Sequence, residues 1–464
     1  MHLYDTLSKS VKILPPPTEQ KLIKLYTCGP TVYDFTHIGH MRKYSMDDLL
    51  KRSLKYLGYD VKHVMNITDV GHLSGDDDSG EDKLEKGAKK YGKSVWDVAA
   101  EYTTFFMDTM HAIGVQDADM TLKATNYISQ MIELIEKLDK KGFTYETDEA
   151  VYFDTTKFPT YGQLSGQKLE DKLQGARDDV HIDAQKKNPA DFALWFKRVG
   201  RFADHTMHWP SPWGDGFPGW HIECSAISMS AFDSPTIDIH TGGIDHIPVH
   251  HENEIAQSEA ATGETFVKWW VHYAFLNVEG EKMSKSKGNF YTIKDLQEKQ
   301  IDPMAVRYLF LQTHYRKGLN FTWEAVKAAD EALKNLRATY ARLENDDSAT
   351  TSNVKTYRQR FSNALGDDLN TAQALAVLWE VLKSDLSDED KMTLSQEFDI
   401  VFGLGFTQTA TIDIPDEITQ LAQKREAARK NKDFQTSDDL RSQIAKAGYE
   451  VEDTAAGFTL KKTS

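Results

Sequence analysis

Strand-like apolar runs and helically spaced apolar positions succeed one another along the first part of the chain. Leu22-Ile23-Lys24-Leu25-Tyr26 reads as a strand. Cys28 and a Gly29-Pro30 breaker follow it. A helical pattern then runs through Met41, Leu49, Leu50, Leu54 and Leu57 and stops near Gly58. Val61-Lys62-His63-Val64-Met65 gives a second strand. Strand, loop, helix and strand at this length make a βαβ unit, which implies a parallel sheet. Residues 81–113 predict a helix with Val95, Trp96, Val98, Phe105, Phe106 and Met110 as its apolar positions. Residues 125–141 predict an amphipathic helix that ends at Gly142.

From residue 143 to about 201 the texture changes. Short β-like pieces such as Val151-Tyr152-Phe153 alternate with loops rich in Gly, Asp and Lys, which reads as an insertion into the α/β domain. Residues 205–220, dense in Trp, Pro and Gly, predict an ordered loop leading back to the main sheet. A short strand at 237–239, a Gly242-Gly243 turn and a helix after His250 repeat the strand–turn–helix theme. Residues 269–276 are strand-like, and from about 291 onward the pattern is helical, with bundle helices at 354–382 and 390–402. A Thr-, Asp-, Ile- and Pro-rich linker at 406–417 precedes a basic amphipathic helix (Lys424, Arg425, Arg429, Lys430, Lys432). A second helix around 438–447 and β-like residues at 449–452 and 458–462 complete the chain.

Composition narrows the class. At 464 residues, the chain suits about three domains and can bury large cores without disulfides. It carries 40% hydrophobic and 27% charged residues, the balance of a soluble protein. No run of about 18 apolar residues predicts a membrane span. The first residues lack the layout of a signal peptide, so the cytoplasm is expected. The net charge of −16 argues against nonspecific coating of nucleic acid but leaves room for a local basic face. Asp76-Asp77-Asp78 with Glu81, Asp82 and Glu85 reads as a solvated loop and helix start. Two cysteines, Cys28 and Cys224, are no disulfide framework in a chain of this size.

Several clusters carry chemistry. In His37-Ile38-Gly39-His40 the histidines share one face of a first helical turn, where N–H groups and the helix dipole favour phosphate. Gly39 leaves space for a flat ligand against the backbone. Thr68 and Asp69 end a strand, a position that either faces a ligand crevice or caps a turn. His250 and Glu254 are spaced i, i+4 and, with Cys28 and Cys224, would suit tetrahedral Zn²⁺; the adjacent His251 could equally be the ligand. Lys282 and Lys285 lie in a Ser-rich loop that could clamp a polyphosphate, or could be an exposed polar loop.

Together these residues form a resemblance. His37-Ile38-Gly39-His40 and Lys282-Met283-Ser284-Lys285-Ser286 resemble the two signature motifs of class I aminoacyl-tRNA synthetases. Residues 28–34, 219–225 and 250–254 resemble the cysteine-specific family, cysteinyl-tRNA synthetase, and the likeness extends through Arg425-Glu426-Ala427-Ala428-Arg429. It implies a Rossmann-like parallel-sheet catalytic domain at 1–120 and 202–290, with an inserted connective domain at 121–201. A stem-contact region at 291–350, a helical bundle at 351–405 and a small α+β anticodon-binding domain at 417–464 would follow.

The implied function is ATP-dependent activation of L-cysteine and its transfer to the terminal ribose of tRNA-Cys. One Zn²⁺ on Cys28, Cys224, His250 and Glu254 would bind the substrate thiolate, and Mg²⁺ would accompany ATP. His37, Gly39 and His40, Gly242, Gly243 and Asp245 would hold ATP, and Lys282 and Lys285 would stabilise the transition state. Thr68, Trp220, His221 and His240 would form the cysteine pocket. A monomer is expected, and no editing domain is required.

The chain also departs from the family. Val70-Gly71-His72-Leu73 stands where Asp-Asp-Lys often follows, and Pro248-Val249 stands where Phe-Pro usually precedes the paired histidines. His246 replaces an apolar residue, and Leu122-Lys123 stands where Pro-Arg is common. Two rivals share parts of the pattern: a mycothiol-pathway cysteine ligase, which lacks the C-terminal domain, and an inert synthetase-like RNA-binding protein.

Overall fold

The computed structural model describes residues 1–73, 82–166, 183–283, 288–344, 353–407, 415–431, 433–454 and 457–462. The chain divides into two units, Met1–Gly405 and Phe406–Ser464.

The first unit is built on a five-stranded parallel sheet. Strand β1 (Leu22–Thr27) leads through helix α1 (Ile38–Tyr56) to β2 (Asp60–Ile67), and β3 (Met120–Lys123) takes the edge. Helix α2 (Trp220–Phe232) precedes β4 (Ile237–Gly243), and helix α3 (His250–Thr262) connects β4 to β5 (Val267–Tyr273). The order is β5-β4-β1-β2-β3, with Tyr26 opposite Val64 on one side and opposite His240 on the other. The chain therefore reverses direction across the sheet between β1 and β4. In such sheets the crevice beyond the strand C-termini at that point receives the ligand.

Helix α1 is buried on nearly all sides. Met41, Met46, Leu49, Leu50 and Leu54 are fully buried, and each contributes on the order of 2 kcal/mol of apolar burial. Its buried charged side chains all have polar partners. Arg42 donates to the carbonyls of Ala274, Phe275 and Lys317, and Lys51 to that of Asp117. Asp48 takes Arg52 and Arg307, the latter from the helix Pro303–Leu311. Helical spacing alone cannot show such a helix as a core element, because its polar face is inside too.

The span predicted as one helix at 81–113 is two, Lys83–Tyr91 and Val95–Ala112. Gly92 takes φ 63°, which ends the first, and the Ser94 side chain caps the second. The span 354–382 is likewise two helices, Val354–Gly366 and Thr371–Lys383. Between them Asp368 and Leu369 adopt positive φ, and the Asp368 carboxylate accepts from Tyr4 N–H, Tyr315 Oη and Arg316. Residues 143–201 contribute three strands of a separate antiparallel sheet, Thr144–Glu146, Ala150–Phe153 and Phe192–Lys197, and Gly216–Pro218 supplies the fourth.

The second unit has its own small core. Helices Asp416–Lys430 and Phe434–Lys446 and the antiparallel pair Tyr449–Thr454 and Gly457–Lys462 gather Ile418, Ala422, Ile444, Tyr449 and Val451.

Candidate active site and metal centre

One cavity of about 600 Å³ opens beyond the C-termini of β1 and β4. Cys28, Trp220 and His246 line one end, and His37, His40, Asp245 and Lys282 line the other.

At the second end, His37 caps α1 with its ring. Its Nδ1 accepts the N–H groups of Gly39 at 3.1 Å and His40 at 3.3 Å. His40 Nδ1 in turn accepts the His37 N–H at 3.5 Å, and the two rings stack with centroids 3.7 Å apart. The Ile38 N–H goes to Tyr291 O. The amides expected from the sequence to meet phosphate are thus already bonded. Accepting at Nδ1 places the proton of each neutral ring on Nε2, so a phosphate contact falls to those ring nitrogens. His40 is exposed to the cavity, and desolvation by the groups around it lowers its pKa below the ordinary imidazole value, which favours the neutral ring at physiological pH. A Cβ on Gly39 would stand 2.9 Å from the His37 ring, so the glycine makes room for the cap itself. Gly242 and Gly243 act alike: a Cβ would meet the His251 ring at 2.5 Å or Asp245 Oδ1 at 2.1 Å.

At the first end, three elements bring four metal-ligand residues together. Cys28 follows β1, Cys224 lies on α2, and His250 and Glu254 share a face of α3; their donor atoms all lie within 4.8 Å of one another. Cys28 Sγ is 3.8 Å from Cys224 Sγ and 3.8 Å from Glu254 Oε1, and His250 Nε2 is 3.0 Å from Glu254 Oε1. A second set shares Cys28 and Glu254 and adds His240 and His251, with His251 Nε2 3.3 Å from Cys28 Sγ. All six residues are buried.

The electrostatics suit a cation. Burial opposes charge on Glu254, but His240 and His250 outweigh it and hold its pKa at about 2. Burial also opposes charge on His250, yet Glu254 and Cys224 raise its pKa to about 10, so a bound metal would displace that proton. Burial pushes the Cys28 thiol up, and the Cys28 sulfur followed by burial pushes Cys224 up. Two thiols that resist ionisation beside a carboxylate need a bound cation to become thiolates.

A further layer fixes these groups. His221 Nδ1 lies 2.9 Å from His250 Nδ1, which directs His250 Nε2 at the cluster, and His240 Nε2 lies 2.9 Å from Glu254 Oε2. The buried Glu223 takes Thr68 Oγ1 at 2.9 Å and His72 Nε2 at 2.7 Å. Thr68, His221 and His240 therefore support the cavity from behind its wall. Asp69 accepts from the N–H and Oγ1 of Thr125, 56 residues along the chain, which ties the end of β2 to the segment after β3. His246 joins the wall beside Trp220, with ring centroids 6.1 Å apart. Lys282 is exposed, and Lys285 lies outside the described residues. Sequence reasoning missed Glu223, Asn66, Lys43 and Asp47. The i, i+4 spacing of Lys43 and Asp47 was the available signal for the last two.

Comparison with known proteins defines the class first. Residues 15–331 match the model of the class I (C) tRNA synthetase catalytic domain. The solved Mycobacterium tuberculosis methionyl-tRNA synthetase with methionyl-adenylate shares the fold at TM-score 0.57 and 15% identity, over 84% of this chain and 89% of that one. The Agrobacterium radiobacter leucyl-tRNA synthetase in its ternary complex gives TM-score 0.57 at 14% identity, over 86% of each chain.

The particular family follows from closer likenesses. Residues 411–458 match the cysteinyl-tRNA ligase anticodon binding domain, and 360–384 match the DALR domain. A cysteine–tRNA ligase of Burkholderia lata is 42% identical over 99% of this chain and 96% of its own length. One from Treponema denticola is 40% identical over 100% and 99%. The chain belongs to the cysteine–tRNA ligases, a family of class I aminoacyl-tRNA synthetases. The match at 411–458 disfavours the mycothiol-pathway alternative, which lacks that domain.

Proposed function

We propose that this chain activates L-cysteine with ATP and transfers it to tRNA-Cys, acting as a monomer in the cytoplasm. One observation carries the reading. The metal-suited cluster reaches the cavity through Cys28, and the His37–His40 pair lines the same cavity. An amino acid held by its side chain at one end would present its carboxylate to ATP at the other.

The donor set fits Zn²⁺. With Zn–S bonds of about 2.3 Å, two tetrahedral thiolates stand about 3.8 Å apart, and Cys28 and Cys224 are 3.8 Å apart. Cys28, Cys224, His250 and Glu254 would hold the ion, and His251 would remain beside it, bonded through Nδ1 to His272 at 2.7 Å. When bound, Zn²⁺ supplies a preference for a thiolate over a hydroxyl, which shape alone gives only to about 10²-fold. Trp220 would wall the amino-acid side, its ring 4.2 Å from that of His250.

In the first step a carboxylate oxygen of cysteine attacks the α-phosphorus of magnesium-bound ATP, and pyrophosphate leaves. His37 and His40 would donate from Nε2 to the phosphates, and Asp245 would hold the nucleoside. Lys282 and Lys285 would stabilise charge on the departing pyrophosphate. In the second step a hydroxyl of the tRNA's terminal ribose attacks the acyl carbon, and AMP leaves. Residues 1–120 with 202–290 would carry this chemistry, and 121–201 would be the connective insertion. Residues 291–350 would meet the tRNA stem, 351–405 would form the bundle, and 417–464 would bind the anticodon.

Cysteine-dependent exchange of pyrophosphate into ATP tests the reading. Metal-replete protein should exchange with cysteine, and Cys224→Ser should lose bound zinc and exchange together. No exchange by the metal-replete wild type would refute the activity. Stoichiometric zinc in the variant would refute the ligand set.

A further inference from the structure

Lys43 and Asp47 lie one turn apart on α1; Asp47 is buried and Lys43, which lines the cavity, is partly buried, with side-chain exposures of 2% and 13%. Burying charge costs desolvation, so the pair is weak evidence for stability. Its partners show a more specific role. Lys43 Nζ lies 3.0 Å from Asp47 Oδ2 and donates to the Cys28 carbonyl at 2.5 Å. The other Asp47 oxygen accepts from Thr241 Oγ1 at 2.6 Å and from Tyr273 Oη at 2.9 Å. The Thr241 carbonyl in turn accepts the Cys28 N–H at 3.3 Å.

These hydrogen bonds and the ion pair close a ring. It runs from the Cys28 carbonyl through Lys43, Asp47 and Thr241 back to the Cys28 N–H, and so spans β1, α1 and β4 where the sheet reverses. Tyr44 Oη adds a second donor to the Cys28 carbonyl at 3.3 Å. Both backbone polar groups of one metal-ligand residue are thereby held by a charged pair that begins three positions past the histidine motif. On the next residue, the Gly29 N–H is held by Asn66 Oδ1 at 2.7 Å. The loop that carries the Cys28 sulfur has no slack on the side that faces α1.

We propose that Lys43 and Asp47 are positioning residues that clamp the Cys28 peptide and so set its sulfur in the zinc-binding arrangement. The clamp rests on the zinc site proposed above. It acts on the amino-acid end of the cavity through Cys28, and Lys43 also lines the cavity, where its charge helps to lower the His40 pKa. Groups that orient metal ligands in this way typically change metal affinity by about 10- to 100-fold when removed.

The test is zinc affinity of the full-length protein, measured by competition with a chromophoric chelator, together with exchange kinetics. Wild-type protein is measured first: if it binds no zinc, the metal reading itself fails. Lys43→Met should weaken zinc binding by about 10- to 100-fold and raise KM for cysteine. Because Lys43→Met leaves Asp47 as an unpaired buried charge, the double variant Lys43→Met with Asp47→Asn is measured beside it. The amide introduced by Asp47→Asn still accepts from Thr241 and Tyr273 without a net charge, so the fold is kept while the Cys28 carbonyl loses its lysine donor. The double variant should show the same loss of zinc affinity, and Lys43→Arg should restore part of it. Zinc affinity equal to wild type in a folded double variant overturns the clamp, whether Tm falls or KM for ATP rises.

Discussion

His63 is buried on β2 against Thr27, with Nε2 2.9 Å from Thr27 Oγ1, and burial pulls its pKa down to about 3. The unfolded chain takes up this proton near pH 6.5, and the fold refuses it until about pH 3. The depressed value means that stability is full above about 6.5 and drains away as pH falls toward 3. Between pH 7 and 5 this one group should cost about 2 kcal/mol. His63→Gln keeps a partner for Thr27 without the titration. In urea unfolding, wild type should lose about 2 kcal/mol more than the variant over that interval; equal losses would contradict the assignment. At this scale the chemistry-bearing residues were legible where a motif placed them close in sequence, as with His37 and His40 or His250 and Glu254. Their partners were not. Asp47 and Thr241 are 194 residues apart, and His72 reaches Glu223 across 151. Only the sheet order brings such pairs together.

Helix α1 is the element on which the first unit turns. Its start carries the His37 cap, its next turn the Lys43–Asp47 pair, and its later turns meet Pro303–Leu311 through Asp48 and Arg307. Arg307 is fully buried and donates Nη2 to Asp48 at 2.5 Å and Nε to the Phe402 carbonyl at 2.6 Å. Breaking a buried pair of this kind leaves an underpaired charge and costs about 3–5 kcal/mol. Arg307→Met should lower the urea midpoint accordingly with an unchanged slope. An unchanged midpoint would mean that Arg52, 2.8 Å from the same Asp48 oxygen, suffices. The βαβ unit was legible because strand, breaker and helix follow one another in sequence. The breaks in the helices near Gly92 and Asp368 were not, because no proline marks them. They depend on positive-φ residues and, at Asp368, on donors drawn from Tyr4, Tyr315 and Arg316.

Across the whole molecule, the cavity and the residues that match an anticodon binding domain fall in different units. Met1–Gly405 holds the cavity, and Phe406–Ser464 has its own apolar core. Removing residues 406–464 should leave cysteine-dependent pyrophosphate exchange near wild type and reduce aminoacylation of tRNA-Cys by at least about tenfold, a loss of about 1.4 kcal/mol of tRNA binding. Equal loss of both activities would make the second unit a structural part of the first. The basic helix within a chain of net charge −16 was legible as a local feature. The four-stranded antiparallel sheet was seen only as a change of texture, because its strands are short and are drawn from 144–218. The central claim is that one end of the cavity reads sulfur through a metal while the other end holds ATP. X-ray absorption at the zinc edge of the full-length protein tests it most directly. The two sulfur neighbours expected from Cys28 and Cys224 should become three on addition of cysteine and stay two on addition of serine. A sulfur number unmoved by cysteine would contradict the account.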